Sequence, residues 1–294
     1  MNNLRRTLSL LLALVMLVAL GAFASAEDNA AAEETAVTLT DEDVASLSYL
    51  NGQLRVGMEC AYAPNNWQES EASETNVPIE NVPGAYAEGY DVQIARIIAD
   101  QLGLELVVVK MDWDGLIEAL NQGQIDAIIA GMADTESRKE AINFTAPYHE
   151  TVYALMVNAG TQYENATSLA DFNGASVLGQ KDTALDWTID QIEGVNHLTA
   201  VASVPDMIAR LQQGTCDAIV INLENAPGYL AANPDFVVIS FPEGEGLDPG
   251  FKGACVGLRK SDDALLSLAD AVLATIDQEQ RDELWETALT NQPT

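Results

Sequence analysis

The sequence predicts an α/β protein of two comparable lobes, each a mixed, mainly parallel sheet flanked by helices. Three observations predict it. From Leu54 onward, short apolar strands alternate with amphipathic helices, which is the pattern of βαβ units. The stretch LNQGQIDAI at 120–128 returns as LQQGTCDAI at 211–219, both following Leu-x-Gln-Gly-x-x-Asp-Ala-Ile. Similar helices precede the two copies, DGLIEALNQ and PDMIARLQQ. One glycine cap between a helix and a strand is ordinary punctuation in such folds. A doubled helix, cap and strand points to two lobes.

Along the chain, MNNLRRTLSLLLALVMLVALGAFASA places Arg5 and Arg6 before an apolar run that exits through Ala24-Ser25-Ala26. This reads as a secretory signal peptide, residues 1–26, cleaved after Ala26. An uncleaved anchor is the alternative, and the small-residue exit argues against it. No cysteine near the exit could carry a lipid anchor, so the expected mature protein is soluble and extracytoplasmic, either periplasmic or secreted. Residues 27–48, EDNAAAEETAVTLTDEDVASLS, hold seven acids, no cation and no aromatic, and are expected to form a disordered acidic linker. LRVGMEC then reads as a strand, GYDVQIARIIADQLG as a helix, LELVVVKM as a strand, WDGLIEALNQ as a helix and IDAIIAG as a strand. The chain is expected to cross between lobes near Leu155 to Asn158 and to return near Lys252 to Cys255. The expected first lobe is therefore 49–156, completed by 255–294, and the second is 157–254.

Composition excludes several function classes. The chain carries 45 acidic and 13 basic residues, and loss of Arg5 and Arg6 takes the net charge from −32 to −34. Nucleic acid is not an expected partner, because phosphate binding needs clustered cations. Cys60, Cys216 and Cys255 are odd in number and form no CxxC, so neither a disulfide framework nor a zinc signature is present. His149 and His197 stand far apart in sequence, and no metal site or cofactor is expected. Asp126 and Asp217, though symmetrical, read as strand-start residues that orient the glycine turn.

Ligands of open α/β sheets bind beyond the carboxyl ends of strands. The first repeat strand ends at Ala130-Gly131 and the second near Asn222, so the two ends are expected to face each other across a cleft. Arg138 follows the first end, on the first turn of a short helix opened by Asp134 or Thr135. A cation there opposes the helix dipole, and so calls for a nearby carboxylate or an anionic ligand. A surface ion pair with Glu136 or Glu140 is the plainer account.

At these residues the sequence resembles the amino-acid-binding proteins of ATP-driven (ABC) importers, solute-binding protein family 3. The resemblance spans about Leu54 to Trp285. It is carried by LRVGMECAYAPNNW, GYDVQIARIIADQLG, DWDGLIEALNQGQIDAIIAGMADTESRKEAINFTAPY, LGQKDTALDWTIDQI and GLRKSDDALLSLADAVLATI. It implies the two-lobed, type II periplasmic-binding-protein fold with a two-stranded hinge. It also implies that Arg138 grips a ligand α-carboxylate bidentately, helped by the backbone of Gly131 and Ala133. Tyr62 and Trp113 become aromatic walls, Thr183 a polar contact from the second lobe, and Glu59 the edge of the side-chain pocket. Two positions depart from the family pattern. Ala133 replaces a common serine, and Asn222 stands where relatives usually place the carboxylate that receives the ligand ammonium. Either Glu224, which would share the strand face two residues on, or Glu59 substitutes, or the ligand is not a standard α-amino acid.

The resulting expectation is a monomeric receptor, without catalytic residues, that captures an amino acid between two lobes and delivers it to ABC permease membrane subunits. The alternative is a secreted cyclohexadienyl-dehydratase-like enzyme on the same scaffold, for which Glu59 and Glu224 are the candidate general acids.

Overall fold

A computed structural model describes residues 37–293 apart from Glu243. The expected signal peptide, its cleavage site and residues 27–36 lie outside the described residues. Among those described, no helix is long and apolar enough to cross a membrane.

Two five-stranded sheets organise the chain. In the first, Glu105–Lys110, Gln53–Met58, Ala127–Ile128, Gly253–Leu258 and Asn143–Glu150 lie side by side in that order. In the second the order is Asn196–His197, Ser176–Leu178, Ala218–Asn222, Tyr153–Asn158 and Phe236–Ile239. The ladders show that one strand in each sheet runs against the other four: Gly253–Leu258 in the first and Tyr153–Asn158 in the second. Each reversed strand is the first that the chain lays down after entering from the other lobe. Two separate apolar cores follow, one centred on residues such as Val56, Ile94 and Ile128, the other on Leu155, Phe172 and Val220.

The internal repeat is structural. Gly123 and Gly214 both take a left-handed φ, +72° and +64°, which glycine adopts without strain. Both caps close with the same pair of bonds, Gln124 N to Ala119 O and Gly123 N to Leu120 O, against Thr215 N to Arg210 O and Gly214 N to Leu211 O. Asp126 N donates to Arg55 O at 2.7 Å while its carboxylate accepts from Arg55 N at 3.1 Å. Asp217 repeats this against Ser176, at 2.8 and 2.7 Å. Each aspartate stitches the new strand to its neighbour.

Three expectations change. The run TVYALMV was expected to be divided at 156/157, but Tyr153–Asn158 is one ladder inside the second sheet along its whole length, so that sheet begins at Tyr153. The return falls within the expected 252–255, at Gly253, which pairs with Glu150. Residues 37–48 of the expected linker carry a helix at Asp41–Ser46. There Thr40 and Asp43 form a reciprocal capping box, Asp41, Glu42 and Asp43 sit at the favourable end of the dipole, and Leu47 is buried. A cation-free composition concealed a good helix start. Between the first strand and the helix Tyr90–Gln101, where no element was read, Ala61–Tyr62, Asn66–Glu69, Val77–Pro78 and Tyr86–Glu88 build a small antiparallel sheet.

Candidate functional site

The carboxyl end of the Gln53–Met58 strand and the loop after Ala127–Ile128 face the end of Ala218–Asn222 and the loop after Ser176–Leu178 across a cavity of about 40 Å³. The first lobe brings Glu59, Tyr62, Trp113, Gly131, Ala133 and Arg138 to this cavity. The second brings Thr183, Asn222 and Glu224. The nine residues singled out from sequence therefore share one site.

Arg138 lies in the first turn of Glu136–Ala141, whose N-cap is Thr135, the hydroxyl accepting from Arg138 N at 3.3 Å. Its guanidinium does not pair with the neighbouring acids of its own helix. Glu136 and Asp134 pair with Lys139 instead. Arg138 Nη1 donates to Ala133 O at 3.0 Å, and Nη2 reaches across the cleft to Asp182 O at 2.7 Å. The Trp113 ring lies 5.1 Å from the guanidinium carbon, within cation–π range, so this aromatic covers the cation. Burial lowers the Arg138 pKa to about 10, leaving the group charged at neutral pH.

Glu59 follows its strand immediately and is 9% exposed. Its carboxylate accepts from Gln180 Nε2 of the opposite lobe at 3.3 Å. Burial pushes its pKa up to about 7, Gln180 pulls the other way, and the charges of Asp112 and Asp114 push further up. It is a carboxylate short of a cation.

At the other end of the cavity Tyr62 Oη donates to Asn222 Oδ1 at 2.6 Å, joining the lobes. Burial holds the Tyr62 hydroxyl well above its ordinary pKa, so it remains a donor. The Asn222 amide in turn donates to Thr151 Oγ1 and, at 3.4 Å, to Glu224 Oε1. The expected strand continuation beyond Asn222 does not occur. A single 3-10 turn, Leu223–Asn225, carries Glu224 back to the cavity, where it also accepts from Thr151 Oγ1 and, at 3.3 Å, from Val152 N.

Two expected ligand contacts have other duties. The Gly131 N–H donates to Tyr148 Oη at 3.0 Å, although the residue lines the cavity with its φ at +66°. An added Cβ there would sit 3.1 Å from the Tyr62 ring, so this wall requires glycine. Thr183 spends its hydroxyl proton on Gln180 O and accepts from Leu185 N, which makes it a helix cap. Sequence reasoning missed Gln180, Thr151, Tyr153 and His149, which also line the cavity. Gln180 stands inside the quoted LGQKDTALDW motif and was legible there. The others were hidden because their place depends on where the chain crosses.

Two α/β lobes that meet over a polar cleft lined from both sides define a two-lobed ligand-binding protein. The chain belongs to the bacterial extracellular solute-binding proteins, family 3, whose profile matches residues 54–288. It is 28% identical over 206 residues to a probable histidine-binding protein of Campylobacter jejuni, spanning 68% of this chain and 72% of that relative. An amino acid ABC transporter substrate-binding protein from Streptococcus pneumoniae, crystallised with L-arginine, superposes with a TM-score of 0.73 at 25% identity, covering 86% of this chain and 99% of its own. An ancestral amino acid-binding protein, a precursor of cyclohexadienyl dehydratase, is similar in fold alone, with a TM-score of 0.68 at 22% identity over 84% of this chain and 99% of that one.

Proposed function

We propose that this protein is the extracytoplasmic receptor of an ABC importer and that its ligand is an amino acid with a cationic side chain. The observation that carries the reading is a charge pattern. A buried guanidinium that donates to two backbone carbonyls shares one cavity with two carboxylates, Glu59 and Glu224. The complement of that pattern is an α-carboxylate flanked by an ammonium and a second cation. In this reading Arg138 exchanges its carbonyl partners for the ligand carboxylate, Glu224 takes over the role left by Asn222, and Glu59 receives the side chain. The L-arginine bound in the Streptococcus pneumoniae relative agrees with it.

With a cavity of about 40 Å³ between them, the lobes in this reading part to admit the ligand and close on it. Polar contacts between them that water can replace are Tyr62 with Asn222, Arg138 with Asp182 O, Gln180 with Glu59, Asn225 with Asn65 and Lys181 with Asp114, while the Tyr62 ring also packs against the second core. Bending is assigned to the two crossings, which run side by side where Thr151 N donates to Lys252 O at 3.2 Å. Secretion through cleavage after Ala26, action as a monomer and hand-over to membrane permease subunits complete the proposal.

The dehydratase reading has one observation in its favour, a Glu59 that is half protonated near neutrality. Turnover of prephenate-like substrates tests it. Calorimetric titration of the mature protein with the twenty amino acids tests the receptor reading. A cationic amino acid is expected to bind at micromolar affinity or tighter, and Arg138→Ala is expected to weaken it about a hundredfold or more. Absence of binding by every amino acid would overturn the reading.

A further inference from the structure

The wall of the cavity beside Glu224 is closed by a histidine that the capture chemistry described above does not use. His149 is the penultimate residue of the Asn143–Glu150 strand of the first lobe, while Glu224 belongs to the second. The imidazole is stacked on Trp285 of the C-terminal helix, with ring centroids 4.3 Å apart and an interplanar angle of 21°. Tyr90 packs against both rings, its centroid 5.1 Å from the imidazole and 5.3 Å from Trp285, and the Tyr90 hydroxyl donates to Tyr148 O at 3.0 Å. This clamp sets the ring's direction. His149 Nε2 is buried without a hydrogen-bond partner and stands 3.6 Å from Glu224 Oε1. A displacement of a few tenths of an ångström completes the bond, and an unmade bond at a buried nitrogen is costly. Both residues also border a second cavity of about 320 Å³ behind the site, which Trp285 and Arg281 help to line. The pair lines both spaces.

We propose that His149 is a positioning residue for ligand amine recognition: its Nε2–H holds the Glu224 carboxylate against the crossing and keeps water of the rear cavity off it. The inference rests on the receptor reading for its consequence, but the pair itself is testable without ligand. A carboxylate has about four acceptor sites. Thr151 donates to Oε1, with Asn222 at 3.4 Å and His149 at 3.6 Å on the same oxygen, and Val152 N takes one site on Oε2, which leaves the other Oε2 site to meet an ammonium. Since Asn222 contributes no charge, the discrimination in favour of an α-ammonium falls on this one group.

The test has two arms on the full mature protein. The chain has two histidines, so His197→Gln leaves the His149 imidazole alone in a nitrogen-15 NMR spectrum. The expected result is a solvent-protected Nε2–H resonance that is lost or displaced by Glu224→Gln; a resonance indifferent to that substitution would overturn the pairing. The second arm titrates L-arginine and its deaminated analogue, 5-guanidinopentanoate, into wild type, His149→Ala and His149→Gln. The alanine variant is expected to lose about tenfold for arginine and less than about twofold for the analogue, and glutamine, whose amide can donate to Glu224, is expected to restore most of the loss. Equal losses for both compounds, or no rescue, would make His149 a packing residue under Trp285 and contradict the proposal. If wild type binds neither compound, the receptor reading fails on its ligand, while the spectrum still decides the pair.

Discussion

Glu59 shows how much one buried group can control. Its folded pKa of about 7 lies above the ordinary 4.5, so between those values the folded chain holds a proton that the unfolded chain has shed. Stability from this group is therefore fully present below pH 4.5 and is lost as pH rises through about 7, by about 3 kcal/mol in all. Denaturant midpoints of wild type and Glu59→Gln, compared from pH 4 to 8, should converge towards the acid end and separate towards the alkaline end, the glutamine variant being the more stable. Binding carries the opposite sign. A cationic side chain favours the ionised carboxylate, so at pH 6 capture should release protons, and the calorimetric heat should depend on the ionisation enthalpy of the buffer. Glu59→Gln should abolish that dependence. An unchanged buffer effect in the variant would assign the proton to another group. At the next position of interest, Arg138→Lys should bind poorly, because an ammonium cannot replace a planar fork held by Ala133 O and Asp182 O.

The element that repeats is helix, left-handed glycine and aspartate-led strand. It was legible in sequence because glycine and aspartate are required by geometry: a φ of +72° or +64° at Gly123 and Gly214, and at Asp126 and Asp217 a carboxylate that accepts from the neighbouring strand's N–H beside the backbone bond. Asp217→Ala is expected to cost about 1–2 kcal/mol of stability, seen as a lower thermal midpoint, while leaving ligand preference unchanged. A change in preference with unchanged stability would mean that Asp217 acts on the site. What stayed hidden at this scale depended on long-range partners. The short antiparallel sheet over 61–88 has strands of two to four residues, too brief to show a period. The helix at Asp41–Ser46 is set by the Thr40–Asp43 capping box, the acids of its first turn and the buried Leu47, position-specific roles that the overall acidic composition does not reveal. Glu224 was expected on a strand face and is delivered to the same cavity by a turn, a detail that alternation along a strand cannot foresee.

For the whole molecule, two independent cores joined by two crossings leave the cleft as the part with the weakest attachments. Lys181 and Asp114 bridge it, yet both are about half exposed, at 53% and 48%, so Lys181→Ala should change ligand affinity by less than about tenfold. Ligand bound between the lobes should stabilise both together, raising the unfolding free energy by about 2.7 kcal/mol at a hundredfold excess over Kd. The net charge of −32 predicts a further property of the intact chain. Association of a cationic ligand should slow as salt is added, whereas an uncharged analogue should be indifferent.

The central claim is that the site's charges are the inverse of the ligand's. It is tested most directly by calorimetric titration of the wild-type protein with L-arginine, agmatine, 5-guanidinopentanoate and citrulline, which respectively keep all three charges, lack the carboxylate, lack the α-ammonium and lack the side-chain charge. Arginine binding at micromolar affinity or tighter, with each of the other three at least about tenfold weaker and agmatine weakest, is the predicted result. Equal affinity for arginine and agmatine would remove Arg138 from carboxylate recognition and contradict the account.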